Sequence, residues 1–227
     1  MTSAGDTDAL LAALDADGAL REAQASLTRG GLLGGALLGF GALLAGRPGR
    51  ALAADRADTA ILRYALSLER LQAAFYTEAE QMGALDGAAA TAARRIGSVE
   101  RAHVRAFEGL LGSAAGPTPA FDFRGTTEDS AAFLKTAVAL EDLSVAAYKA
   151  QAPRITAPAV LQAAVGIHSV EARHAAWMRH LVGVRPAANA FDDAEDRDAV
   201  LKTVASTRFV VRTTPRTTRK RSPRFTG

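Results

Sequence analysis

Between residues 58 and 182 the chain places apolar residues every third or fourth position, in four blocks separated by turn-forming residues. The first block predicts a helix from about Asp58 to Gln81, with Ile61, Leu62, Ala65, Leu68, Leu71, Phe75 and Met82 on its apolar stripe and Gly83 at its end. Asp86 suits the N-cap of a second helix that runs to about Leu111, with Ile96, Val99, His103, Phe107 and Leu110 along one face. Residues 112–126 read as a long loop through Pro117 and Pro119, which Phe121 and Phe123 could pin to the helices. A third helix is expected from near Thr127, with Thr126 or Thr127 as cap and Glu128 and Asp129 in its first turn, to Gln151 before Pro153. A fourth starts at Pro158 and ends near Val182, before Gly183, with Val170, His174, Trp177, Met178 and Leu181 facing inward. Asp192 and Glu195 resemble a capping pair for a short fifth helix to about Ser206.

Ionisable residues interrupt these apolar stripes. Glu69 lies between Leu68 and Leu71, and Glu141 stands in the equivalent Leu140-Glu141-Asp142-Leu143. Glu100 and His103 form one Glu-x-x-His, and Glu171 and His174 form another. Residues three apart share a helix face, so each pair can reach one ion. A carboxylate on a core face is costly unless it is paired or metal-bound. Two lone glutamates and two Glu-x-x-His pairs on four helices are the ligand set of a dinuclear carboxylate bundle.

The pattern is also duplicated. Leu68-Glu69-x-Leu71-x-x-Ala74-x-Tyr76 matches Leu140-Glu141-x-Leu143-x-x-Ala146-x-Tyr148, and Ile96-x-Ser98-Val99-Glu100-x-x-His103 matches Ile167-x-Ser169-Val170-Glu171-x-x-His174. Lone and paired glutamates are 31 residues apart in the first copy and 30 in the second. The expected fold is therefore all-α, two helical hairpins joined by a long connection, with a short C-terminal helix. A pseudo-two-fold arrangement would put one Glu-x-x-His on each metal and leave the lone glutamates to bridge or chelate. Tyr76 and Tyr148 follow the lone glutamates by two helical turns. They are candidates for hydrogen bonds to ligand carboxylates or for a redox role, with ordinary core packing as the alternative. Gln72, one turn from Glu69, can hydrogen-bond to a ligand. His168 and His180 lie off the face of His174 and read as surface or secondary residues.

Composition narrows the chemistry. Cysteine is absent, which excludes disulfides, thiolate zinc sites and iron–sulfur clusters. Carboxylate-rich, imidazole-poor coordination suits iron or manganese, and two ions of either are expected per chain. The alternative is a bundle that keeps the duplicated pattern without binding metal.

The flanks differ from the bundle. Residues 1–53 read as a leader: Arg29, an uncharged Gly/Leu/Ala run over 30–46, then Ala51-Leu52-Ala53 as a small-x-small cleavage site. The run resembles a twin-arginine export signal, although Gly30 stands where a second arginine belongs. Its 17 residues fall short of the roughly 20 that span a bilayer, so an anchor through 30–46 is the second reading. The expected localisation is thus outside the cytoplasm. Residues 54–190 form the bundle, 191–206 the short helix and 207–227 a basic tail. That tail holds Arg208, Arg212, Arg216, Arg219, Lys220, Arg221 and Arg224 without an acid and accounts for the basic pI. It reads as a solvated end able to touch anionic surfaces, with no specific nucleic-acid partner.

On these motifs, residues 56–182 resemble the ferritin-like superfamily, most of all its exported ferritin-like domain proteins, relatives of rubrerythrin, bacterioferritin and manganese catalase. The resemblance implies that Glu69, Glu100, His103, Glu141, Glu171 and His174 hold the metals. Ferroxidase or peroxide-consuming chemistry fits such a pair of metals, with O2, H2O2 or Fe(II) as substrates. Rubrerythrin carries a cysteine-bearing domain for electron delivery; this chain has no cysteine, so reductive peroxidase action needs an external donor. A metal-storage or structural, stress-protective bundle is the alternative. The leader and tail favour a monomer or homodimer over a large shell.

Overall fold

A computed structural model describes residues 55–211. The expected leader, anchor and cleavage site, and the tail from Arg212 on, lie outside the described residues. Four long helices form the core: α1 (Arg56–Met82), α2 (Gly87–Leu111), α3 (Ser130–Gln151) and α4 (Pro158–Leu181). A short α5 (Arg197–Thr207) follows. Helices α1 and α2 pack as one hairpin, and α3 and α4 as the other. The architecture is the expected all-α bundle of two hairpins with a short C-terminal helix. No described helix is long and apolar enough to cross a membrane.

The helix ends follow local chemistry. Asp55 caps α1 by accepting from the Asp58 backbone N–H at 2.8 Å, and Gly83, at φ 63°, terminates it in the left-handed conformation. Asp86 occupies the N-cap of α2 as expected, but its side chain caps no backbone amide. It accepts instead from Ser130 Oγ at 2.9 Å, tying the start of α2 to that of α3. Helix α3 starts later than expected, with Asp129 as its cap. The reason is that Thr127 is buried and donates its hydroxyl to Glu78, while Thr126 and Glu128 close turns onto Phe123 and Gly125. Helix α4 has Ala157 at its N-cap and so lacks a side chain to cap it. Asp58 of α1 fills that role: its carboxylate accepts from the backbone N–H groups of Thr156 and Ala157 at 2.9 and 2.8 Å.

Two expectations at the C-terminal side are corrected. Asp192 and Glu195 are no capping pair: α5 begins after Asp196, Asp192 offers its carbonyl to Lys149 Nζ, and Glu195 N–H bonds to the Ala146 carbonyl. The folded part also extends beyond Thr207, where the tail was expected to begin. Thr207 still belongs to α5, Phe209 is buried, and Val210–Val211 (β2) pairs antiparallel with Ala120–Phe121 (β1) in the loop between the hairpins. The short run of β-branched residues gives this strand no periodicity to read.

That pairing positions an aromatic cluster. Phe75 stacks on Phe133 at 5.2 Å, and Phe123 meets Phe75 and Phe209 edge-on at 5.3 Å each. The loop between the hairpins is therefore pinned by Phe123, as expected. Met82, placed on the apolar stripe of α1, is instead about half exposed at the helix end. Arg70, also unanticipated, is buried and donates to the carbonyls of Ala115, Gly116 and Pro117 and to Glu108, holding the turn after α2 against α1.

Candidate metal centre

The six residues singled out by spacing converge in the middle of the bundle. Glu69 comes from α1, Glu100 and His103 from α2, Glu141 from α3, Glu171 and His174 from α4. All four carboxylates are completely buried. The side chains form two groups of four: Glu69, Glu100, His103 and Glu171, and Glu100, Glu141, Glu171 and His174. Within each group one ligand atom per residue lies within 4.8 Å of all the others.

Of the two roles open to the lone glutamates, bridging and chelating, the grouping matches the second. Glu100 and Glu171 belong to both groups, whereas the lone glutamates Glu69 and Glu141 belong to one each. Sharing therefore falls to the glutamates of the Glu-x-x-His pairs, not to the lone ones. Glu100 illustrates this: Oε2 lies 3.5 Å from His103 Nδ1 and Oε1 lies 2.9 Å from His174 Nδ1. Helix geometry explains it, because each lone glutamate projects from the hairpin's first helix toward one histidine only.

Second contacts orient the lone glutamates. Tyr76 of α1 donates to Glu141 Oε1 at 2.5 Å, and Tyr148 of α3 donates to Glu69 Oε1 at 2.5 Å. Each tyrosine thus reaches the glutamate of the other hairpin and leaves Oε2 facing a histidine, at 3.1 Å for Glu69 and His103 and 3.6 Å for Glu141 and His174. Gln72 Nε2 approaches Glu171 Oε2 at 3.5 Å, a weak contact. Its counterpart in the second copy is Ser144, which is too short to do the same and is buried without a partner. No described side chain accepts from Nε2 of His103 or His174. His168 and His180 belong to neither group: His180 is exposed, whereas His168 is partly buried, its Nε2 without a hydrogen-bond partner.

The electrostatics express crowding of negative charge. Burial lifts the Glu69 carboxyl to about 7 despite the pull of His103. Burial and then the charges of Glu100 and Glu69 push Glu171 well above the usual carboxylate range. For Glu100 burial acts upward, but the two histidines outweigh it and hold it at about 2. Burial disfavours charge on His174, yet Glu100 and Glu141 raise it to about 10; His103 is raised well above its ordinary value against burial, with Glu69 the leading cause.

The donor set fits a pair of divalent cations. Both oxygens of Glu100, Glu141 Oε2, Glu171 Oε1 and His174 Nδ1 are buried without a hydrogen-bond partner. His174 Nδ1 and Glu100 Oε1 are close but not aligned to bond each other, as expected of atoms aimed at a common point. Buried unpartnered carboxylates are rare and costly. Two dications would balance four carboxylates with both imidazoles neutral, whereas without them protons on histidine and glutamate must supply the balance.

No curated protein matches the chain in a sequence search. A family model described as the ferritin-like domain matches residues 57–184, more than half of the chain, and the chain belongs to that family.

Proposed function

We propose that the protein holds two iron or manganese ions through Glu69, Glu100, His103, Glu141, Glu171 and His174, and uses them in redox chemistry with O2 or H2O2 outside the cytoplasm. The observation that carries the reading is that Glu100 and Glu171 are common to both four-residue groups. That arrangement suits two adjacent ions better than one. When bound, such a pair supplies the two electrons that reduction of O2 to peroxide, or of H2O2 to water, requires.

The chain's own part is to hold charge and protons in place. The four carboxylates lie in a water-poor core, where they can neutralise a change of metal charge without rearranging solvent. Tyr76 and Tyr148 keep a proton on their phenolic oxygens, because burial and the adjacent Glu141 and Glu69 push their pKa values well above 10. Each can therefore donate to Oε1 of its glutamate through a cycle and fix which oxygen faces the ion. Export rests on the leader pattern of residues 1–53, and a monomer or homodimer is the proposed state.

Elemental analysis of the full chain, as isolated and after incubation with Fe(II) or Mn(II), is the test. About two ions per chain supports the site; titration of the loaded protein with O2 and H2O2 then separates an enzyme from a store. Complete burial of the four carboxylates also suits a bound pair that only stabilises the bundle. In that case added metal raises the melting temperature and neither oxidant is consumed. No uptake under either condition overturns the metal reading and leaves a structural bundle.

A further inference from the structure

Three of the four buried glutamates have one oxygen occupied by a neighbouring donor, and the fourth has neither occupied. Tyr148 donates to Oε1 of Glu69, Tyr76 to Oε1 of Glu141, and Gln72 Nε2 to Oε2 of Glu171 at 3.5 Å. No described group donates to either oxygen of Glu100. The two shared glutamates, Glu100 and Glu171, are therefore unlike, and the difference goes back to the sequence. Gln72 stands three residues after Glu69, and the equivalent position after Glu141 is Ser144. Both side chains are 1% exposed. The glutamine reaches a carboxylate, whereas the shorter serine leaves its hydroxyl without a partner.

The oxygens left free decide how each shared glutamate can serve two ions. Glu100 offers both: Oε2 lies 3.5 Å from His103 Nδ1 and Oε1 lies 2.9 Å from His174 Nδ1, one oxygen toward each half. Glu171 has Oε1 left, 3.2 Å from His103 Nδ1 and without a donor. Gln72 is closed off from water, and turning its amide round would set the carbonyl oxygen against the carboxylate. A carboxylate that binds metal is ionised, and an amide donates more strongly to an ionised acceptor than to a neutral one. Ion binding thus strengthens the long Gln72 contact. We propose that Gln72 is a positioning residue: by holding Oε2 it makes Glu171 share the single oxygen Oε1 between the two ions, while Glu100 spans them with one oxygen on each. This rests on the two-ion reading above and gives its two shared ligands different binding modes.

Infrared difference spectra of the full-length protein, loaded minus metal-free, test this without turnover. The protein carries glutamate labelled with carbon-13 and is loaded with whichever of Mn(II) or anaerobic Fe(II) it takes up. A carboxylate bound through one oxygen separates its two C–O stretches widely, and one that places an oxygen on each ion separates them less. In the wild type Glu100 alone should give the narrow pair. Gln72→Met keeps the length of the side chain and removes the donor, so Glu171 should span the ions as Glu100 does and the narrow component should about double. Gln72→Leu should give the same change and serves if methionine is not accommodated. Both variants should keep the wild-type metal content. A spectrum unchanged from the wild type overturns the inference. Loss of an ion from the variants does so too, because Gln72 would then be needed for binding itself and not for its mode. Failure of the wild type to take up metal overturns the two-ion reading instead, and is seen in the elemental analysis before any spectrum is recorded.

Discussion

Tyr148 donates to Glu69 across the two hairpins at 2.5 Å, and the duplicated pair, Tyr76 and Glu141, makes the same bond in the opposite direction. These bonds join the hairpins at their most highly charged point. Removing the hydroxyl leaves a buried carboxylate oxygen without its donor. Tyr148→Phe and Tyr76→Phe should each cost about 1.5–3 kcal/mol in the metal-free protein, read as a lower denaturant midpoint. Metal content should stay at the wild-type level, since neither phenol belongs to the groups of potential ligands. A variant as stable as the wild type would show that the bonds contribute nothing.

Sharing of Glu100 makes the site residues unequal. Glu100→Ala together with Glu171→Ala should abolish binding of both ions while the helical circular dichroism largely persists. Glu141→Ala removes a residue found in one group only and should leave about one ion per chain. Equal loss from Glu141→Ala and the double variant would contradict this division.

Asp58 offers a stability test far from the metal centre. It is buried on α1 and accepts from Thr156 N–H, Ala157 N–H and Thr156 Oγ, so it supplies the cap that α4 lacks. Asp58→Ala should destabilise the fold by about 1–3 kcal/mol, measured by thermal or denaturant unfolding. Ser substituted at Ala157 in that background should recover part of the loss by capping α4 locally.

At Gly97, α2 passes close against α1. A Cβ there would sit 2.8 Å from Tyr76 Cβ and against Glu80 Oε1, which pairs with Arg101. Gly97→Ala should cost about 1–3 kcal/mol through overpacking even though alanine favours helix. Because the displaced residue is Tyr76, its bond to Glu141 should weaken, seen as tighter coupling between the melting temperature and added metal. An alanine variant of wild-type stability would show that Tyr76 moves freely.

Alkaline titration tests the burial of the three tyrosines. Burial raises Tyr64 to about 12, and burial with the neighbouring glutamates raises Tyr76 and Tyr148 well above 10. An unfolded tyrosine titrates near 10. Folding thus favours the protonated phenols: their contribution to stability is complete below pH 10 and is lost as pH rises through the folded values. Tyrosinate absorbance should stay absent at pH 10, with Tyr64 the first to ionise or unfolding releasing all three. A normal tyrosine titration with the fold intact would refute the burial.

Much of this protein is legible in one dimension. Apolar periodicity and the duplicated Glu and Glu-x-x-His spacing predict the four long helices and bring Glu69, Glu100, His103, Glu141, Glu171 and His174 onto inward faces, because the period of a helix depends only on its own backbone. What depends on contacts between distant segments was decided by the tertiary structure. Which glutamates are shared follows from the relative setting of α1–α4 around the site. The start of α3 follows from Thr127 meeting Glu78, and the cap of α4 from Asp58. Pairing of Val210–Val211 with Ala120–Phe121 joins residues ninety positions apart that carry no local signal.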